Sequence, residues 1–221
     1  MTDEERHSQP VAVPLITDKV ERAKRESENG LRQIDLVLER ARHFTAPGAP
    51  RFRLRIPLLL SLNRAAVEGI EATAGGFRTG GMEIFGSKHQ PPSGAEVPDL
   101  VEEMCDYVND NWETASAAHL AAYVMWRINW IHPFDDGNGR TARAASYLVL
   151  LIKTGAVLPG KVTIPERIAS SKNPYYFALE KADKAYAADR TIDVSAIEEI
   201  VVSALAGQLA DVVKQASGEE K

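Results

Sequence analysis

The chain has 221 residues, 44% of them apolar and 26% charged, with a formal net charge of −5. This is the make-up of a soluble globular protein with one sizeable core, and its acidic balance argues against a protein that coats nucleic acid or anionic lipid. A single cysteine, Cys105, excludes an internal disulfide, and the longest apolar run, Leu120 to Trp126, is too short to span a bilayer. The polar start, MTDEERHSQP, carries no secretory pattern, so no membrane and a cytoplasmic setting are expected.

Residues 1–17 read as a flexible tail and 215–221 as another, with one domain over 18–214 between them. From Asp18 to His43, Leu31, Ile34, Val37, Leu38 and Ala41 recur at the spacing of one helix face, and Asn29-Gly30 predicts a break in that helix. Pro57 suits the first turn of a second helix whose inner stripe is Leu59, Leu62, Ala66 and Ile70. The glycine-rich stretch 73–94 then changes character. Met82 to Phe85 is the best strand candidate, which predicts a short β-hairpin or extended flap over about 79–94.

Pro98 opens the next helix, with Leu100, Val101, Met104 and Val108 on its buried side and Cys105 as a structural thiol. Ser116 to Trp130 and Thr141 to Lys153 are apolar on nearly all sides, as central core helices are. Two further helices are expected at about Asn173 to Ala188 and Ser195 to Lys214. The fold class is all-α with one small β element.

The loop between the two core helices, HPFDDGNGRTAR (132–143), is poor for packing and rich in chemistry. His132 precedes a proline, so the helix before it ends there and leaves the imidazole at a helix C-terminus, where the dipole favours the charged ring. Asp135 and Asp136 supply oxygens suited to Mg²⁺, which binds through one or two carboxylates and completes its shell with water and phosphate. Gly137-Asn138-Gly139 lets successive N–H groups face one way as an anion nest at the start of the next helix. Arg140 and Arg143, three apart, share a helix face and present two forks for phosphate oxygens. Taken singly, each feature has an ordinary structural explanation; a base, a cation ligand, an anion cradle and a clamp within twelve residues do not.

This motif resembles the signature of the Fic (filamentation induced by cAMP) domain family: His-Pro-Phe, any residue, Asp or Glu, Gly-Asn-Gly-Arg, two residues, Arg. Three further stretches are similar to the family: AGGFRTGGMEIFGSKHQPP to the approach to its flap, WETASAAHLAAYVMWRINWIHPF to the helix before its loop, and NPYYFALEKAD to a later helix near the nucleotide base. The resemblance implies a Fic-type helical fold with a short β-hairpin flap, and transfer of AMP from ATP to a Ser, Thr or Tyr hydroxyl of a target protein with release of pyrophosphate.

It further implies that His132 is the general base, that Phe134 holds the loop in the core and that Asp136 ligates Mg²⁺. Gly137, Asn138 and Gly139 would cradle the phosphates, which Arg140 and Arg143 orient. The flap would hold an extended stretch of the target by strand-like pairing. Ile84 and Phe85 are expected to border the nucleotide. For Tyr175 and Tyr176, the adenine site and the rim of the core stand as equal readings.

Many members carry an inhibitory helix reading Ser or Thr, three residues, Glu, then Gly or Asn. Neither Glu28-Asn29, preceded by Lys24, nor Glu68-Gly69, preceded by Arg64, fills that pattern; Glu28 is the nearer candidate, with an exposed helix charge as its alternative. His89 and His119 have no ligand spacing to the loop. Two other readings remain: a Fic-type enzyme with another group-transfer activity (another nucleotide, phosphotransfer or removal of AMP), and a nucleotide-sensing or toxin-like interaction module. Self-association is left open.

Overall fold

The computed structural model describes residues 14–160 and 162–217. Its regular structure, among those residues, is helical: α1 (Lys19–Thr45), α2 (Ile56–Val67), a 3₁₀ turn (Gly94–Glu96), α3 (Val97–Asp110), α4 (Ala117–Ile131), α5 (Asn138–Thr154), α6 (Ile164–Ser170), α7 (Lys172–Asp189) and α8 (Ser195–Ser217). No helix in the described residues is long and apolar enough to cross a membrane.

Helix starts follow local chemistry. The Asp18 carboxylate accepts from the N–H groups of Val20 and Glu21 at 3.0 and 2.8 Å, capping α1. Ser93 and Glu96 form a capping box just before α3, and Ser116 accepts from His119 N at 3.0 Å to start α4. The α4–α5 pair is the centre of the molecule, with α2, α1 and α8 laid around it. Leu120, Val124, Ile128 and Ile131 of α4 are buried, as are Leu148, Val149 and Leu151 of α5. A helix buried on most of its surface must be apolar all round, which is why these two segments stand out in the sequence.

Four expectations need correction. α1 runs unbroken through Asn29-Gly30, because Asn29 is buried and its Nδ2 donates to Ala66 O and Glu68 O, tying α1 to the end of α2. The β-hairpin does not form. Residues 81–83 take no regular structure and burial alternates over 81–85, but Ile84 makes only a lone bridge contact, its carbonyl accepts from Ser87 N at 3.1 Å in a turn through Phe85 and Gly86, and no strand exists among the described residues. A seven-residue helix, α6, lies where none was expected, started by the capping box of Thr163 and Glu166. α8 continues through Ser217, past the boundary set at 214; the remainder of the proposed 215–221 tail, and residues 1–13 of the N-terminal one, lie outside the described residues.

Candidate active site

His132 ends α4 in the left-handed region, at φ 52°. That conformation costs a non-glycine residue about 1–2 kcal/mol, and a buried arginine holds it. Arg78, 2% exposed, donates to His132 O (2.7 Å), Ile131 O (3.1 Å), Gly80 O (2.6 Å) and Pro92 O (2.6 Å), while its own N–H donates to Pro133 O (2.9 Å). One guanidinium thus gathers the C-terminal carbonyls of α4 and both sides of the flap. The positive charge also suits the negative end of that helix.

The imidazole is buried, and burial pushes its pKa down to about 4. The helix dipole was expected to favour the charged ring; desolvation outweighs it. Nδ1 lies 3.4 Å from Asn129 O, an arrangement in which Nδ1–H donates and the lone pair sits on Nε2. The ring is therefore a neutral base at ordinary pH.

Phe134 is buried and packs on Phe77 at 5.8 Å between ring centres, so it does pin the loop. The Asn138 side chain closes the turn on itself, accepting from Phe134 N at 2.9 Å and donating to Phe134 O at 2.7 Å. Its amide thus shapes the nest, leaving the backbone N–H groups of Asn138 and Gly139 for an anion, while the Gly137 N–H donates to Asp136 Oδ1 at 2.5 Å. Gly137 takes φ 80°, where an added Cβ would lie 2.6 Å from Val67 Cγ1. Asn63 of α2 locks the same turn: its Nδ2 donates to Asp136 O at 2.9 Å and its Oδ1 accepts from Gly75 N at 3.0 Å.

Asp136 Oδ2 accepts from Arg22 at 2.8 Å and from Arg140 at 3.2 Å. Arg22 also reaches Glu71 at 3.5 Å, whose carboxyl is raised above its usual range, first by burial and then by the charge of Asp136. Arg140 meets Glu26 at 3.6 Å. Arg143 is desolvated by burial, which lowers its pKa, beside the Tyr175 hydroxyl, which accepts from Asn129 Nδ2 at 2.8 Å. Asp135 is turned aside to accept from Thr73 Oγ1 at 2.8 Å.

His132, Asp136, Gly137, Asn138, Gly139, Arg140 and Arg143 all line one cavity of about 670 Å³, within the range of small-molecule sites. Ile84, Tyr175 and Tyr176 line it too, so the structure brings the loop, the flap and α7 to one hollow. Phe85 does not line it and is 48% exposed. Glu28 pairs with Arg25 at 3.5 Å and lies off the cavity; Glu26, half a turn earlier, lines it instead. His89 Nε2 is engaged by Trp130 O at 2.7 Å, and His119 by Tyr107 and Glu198.

Sequence reasoning missed Arg78, Asn63, Arg22 and Glu26. The loop partners that place them lie 54 to 114 residues away, and no local pattern marks such pairings; a lone arginine between glycines was the only trace of Arg78.

No group of three or more His, Cys, Asp or Glu suited to a metal exists among the described residues. A single carboxylate at a phosphate-sized cradle fits Mg²⁺ that arrives with a polyphosphate and keeps waters in its shell. Such a cation would compete with Arg22 and Arg140 for the Asp136 oxygen.

Residues 53–150 match the model of the Fic/DOC family. Over 163 residues the chain is 26% identical to the protein adenylyltransferase Fic of Drosophila willistoni, covering 72% of this chain and 30% of that protein. A probable protein adenylyltransferase of Aquifex aeolicus is 29% identical over 133 residues, 57% of this chain and 38% of the other. The chain therefore spans about a third of the length of these curated relatives. A solved Fic domain containing signaling protein from Bacteroides thetaiotaomicron shares the helical fold, with a TM-score of 0.70 at 21% identity over 92% of this chain and 76% of that one.

Proposed function

The chain carries a Fic/DOC family domain over residues 53–150, and from that premise we propose that it is a protein adenylyltransferase, moving AMP from ATP to a Ser, Thr or Tyr hydroxyl of a target protein. The observation that carries the reading is the convergence, on one cavity, of a buried neutral imidazole with a glycine nest, a carboxylate and two guanidinium groups.

The target hydroxyl gives its proton to Nε2 of His132 while its oxygen bonds to the α-phosphorus of ATP. The bond from that phosphorus to the bridging oxygen of the β-phosphate breaks, and pyrophosphate leaves. Reactions of this kind depend on alignment and on charge stabilisation. The backbone N–H groups of Asn138 and Gly139, at the N-terminus of α5, receive phosphate oxygens, while that of Gly137 donates to Asp136 Oδ1 and orients the carboxylate. Arg140 and Arg143 offset charge on the leaving pyrophosphate. Mg²⁺, when bound, is held through Asp136 and neutralises phosphate charge. Ile84 and Tyr176 border the nucleotide, and the flap segment 81–84 aligns the target backbone by pairing.

The test uses ATP labelled at the α- or the γ-phosphate, incubated with the purified chain, Mg²⁺ and a mixture of candidate proteins. The α-label is expected in protein and the γ-label in pyrophosphate. γ-Label in protein would replace this reading with phosphotransfer.

A further inference from the structure

α8 has two apolar stripes. The inner one, Ile197, Val201 and Ala204 with Gln208, is buried where the helix packs on α4, α6 and α7. The outer one is Val202, Ala206, Leu209, Val213 and Ala216, at steps of four, three, four and three residues, and all five are exposed. Val202 is 50%, Leu209 43% and Val213 67% exposed, and among the described residues no helix covers them. An outward helix face is ordinarily charged. Here only Glu199 and Lys214 are charged among the exposed residues of α8, one towards each end and of opposite sign.

Steps of three and four repeated along one face are the seam of a two-helix coiled coil. We propose that two copies of this chain associate through this face of α8, antiparallel, about a two-fold axis passing near residues 207 and 208. In that register Val202 of one copy faces Val213 of the other, and Ala206 faces Leu209, so large side chains meet small ones beside the axis. Glu199 comes within a turn of Lys214 of the second copy, and the symmetry repeats that ion pair at the far end. A parallel pair would instead set Glu199 against Glu199 within the seam, which repels.

The size of the face agrees with a reversible dimer. α8 has 23 residues, about 34 Å of helix at ~1.5 Å per residue. A strip that long and about 10–12 Å wide gives roughly half of the ~800 Å² per partner that stable interfaces bury. Phe177 of α7, 69% exposed, extends it across the groove that it lines with Glu199 and Ser203. Weak, reversible association is the expectation.

Sedimentation of the full chain from about 1 to about 200 µM tests the proposal. The expected result is a monomer–dimer equilibrium that Leu209→Glu weakens at least about tenfold, a cost of ~1.4 kcal/mol. Glu199→Lys weakens it less, and the exchange Glu199→Lys with Lys214→Glu restores it. Because Cys105 is buried, introduced cysteines report the register: Val202→Cys with Val213→Cys crosslinks two copies on oxidation, and neither single variant does. A monomer over the whole range, a dimer indifferent to Leu209→Glu, or a crosslink through Val202→Cys alone would each overturn it.

Discussion

The loop 132–143 and the flap 79–94 face each other across the cavity and are held in opposite ways. The loop is buried and tied from several sides: Phe134 packs inward, Asn138 bonds its own turn, Asn63 clasps it from α2 and Arg78 grips its carbonyls. The flap's middle has exposed residues at Glu83, Phe85 and Gly86, and its anchors lie at its ends, through Arg78 and through His89 on Trp130 O. A surface that fixes phosphates must be pre-shaped, because each donor must already point at its oxygen. A surface that accepts an extended segment needs accessible backbone instead. Under the proposed function the contrast is a division of labour: one side rigid for a nucleotide, the other open for a target.

Removing the shared anchor should break both sides. Arg78→Met leaves four carbonyls without that partner, and charged hydrogen bonds contribute about 1.5–3 kcal/mol each before compensation by water. A loss of about 3–5 kcal/mol in denaturant unfolding is expected, together with lost transfer; unchanged stability would mean that Arg78 does not hold the junction.

Gly137→Ala touches only the rigid side. Its positive φ and the approach to Val67 cost about 2 kcal/mol. Calorimetry should show ATP affinity falling at least about tenfold, while peptide binding to the flap is unaffected.

The buried base makes a pH prediction. Its pKa of about 4 keeps His132 neutral from pH 8 down to 5, so with Mg²⁺ in excess kcat/KM should vary less than about twofold between pH 7 and 5.5. A fall through pH 6.5 would indicate an ordinary solvated imidazole. The stability effect has a definite sign. Between pH about 6.5 and about 4 the unfolded chain binds a proton that the folded one does not, so His132 makes the fold less stable as pH drops, by up to about 3 kcal/mol. His132→Ala should flatten that part of the profile.

The smallest effect belongs to the open side. Phe85→Ser, at an exposed flap position, should change stability by less than about 0.5 kcal/mol and leave ATP affinity alone. Only KM for the protein target should rise.

What was legible in the sequence divides along the same line. α4 and α5 could be read because burial on all sides leaves an all-round apolar pattern, and the twelve-residue motif because its chemistry is local. The strand at 82–85 was misjudged because a strand exists only by pairing, and the alternation from Gly81 to Phe85 yields one bridge contact at Ile84 and then a turn. The break at Gly30 failed for a related reason. Glycine in a helix costs only about 1 kcal/mol, which the buried Asn29 contacts with α2 offset. Arg22 on Asp136 spans 114 residues, and nothing near residue 22 foretells it.

Transfer of α-labelled AMP by His132→Ala, measured beside its ATP affinity, separates the proton acceptor's part from that of the phosphate cradle. A neutral buried base acting beside a separately held polyphosphate predicts transfer reduced by about 10²–10⁴-fold with ATP affinity within about twofold of the original chain. Undiminished transfer would contradict it.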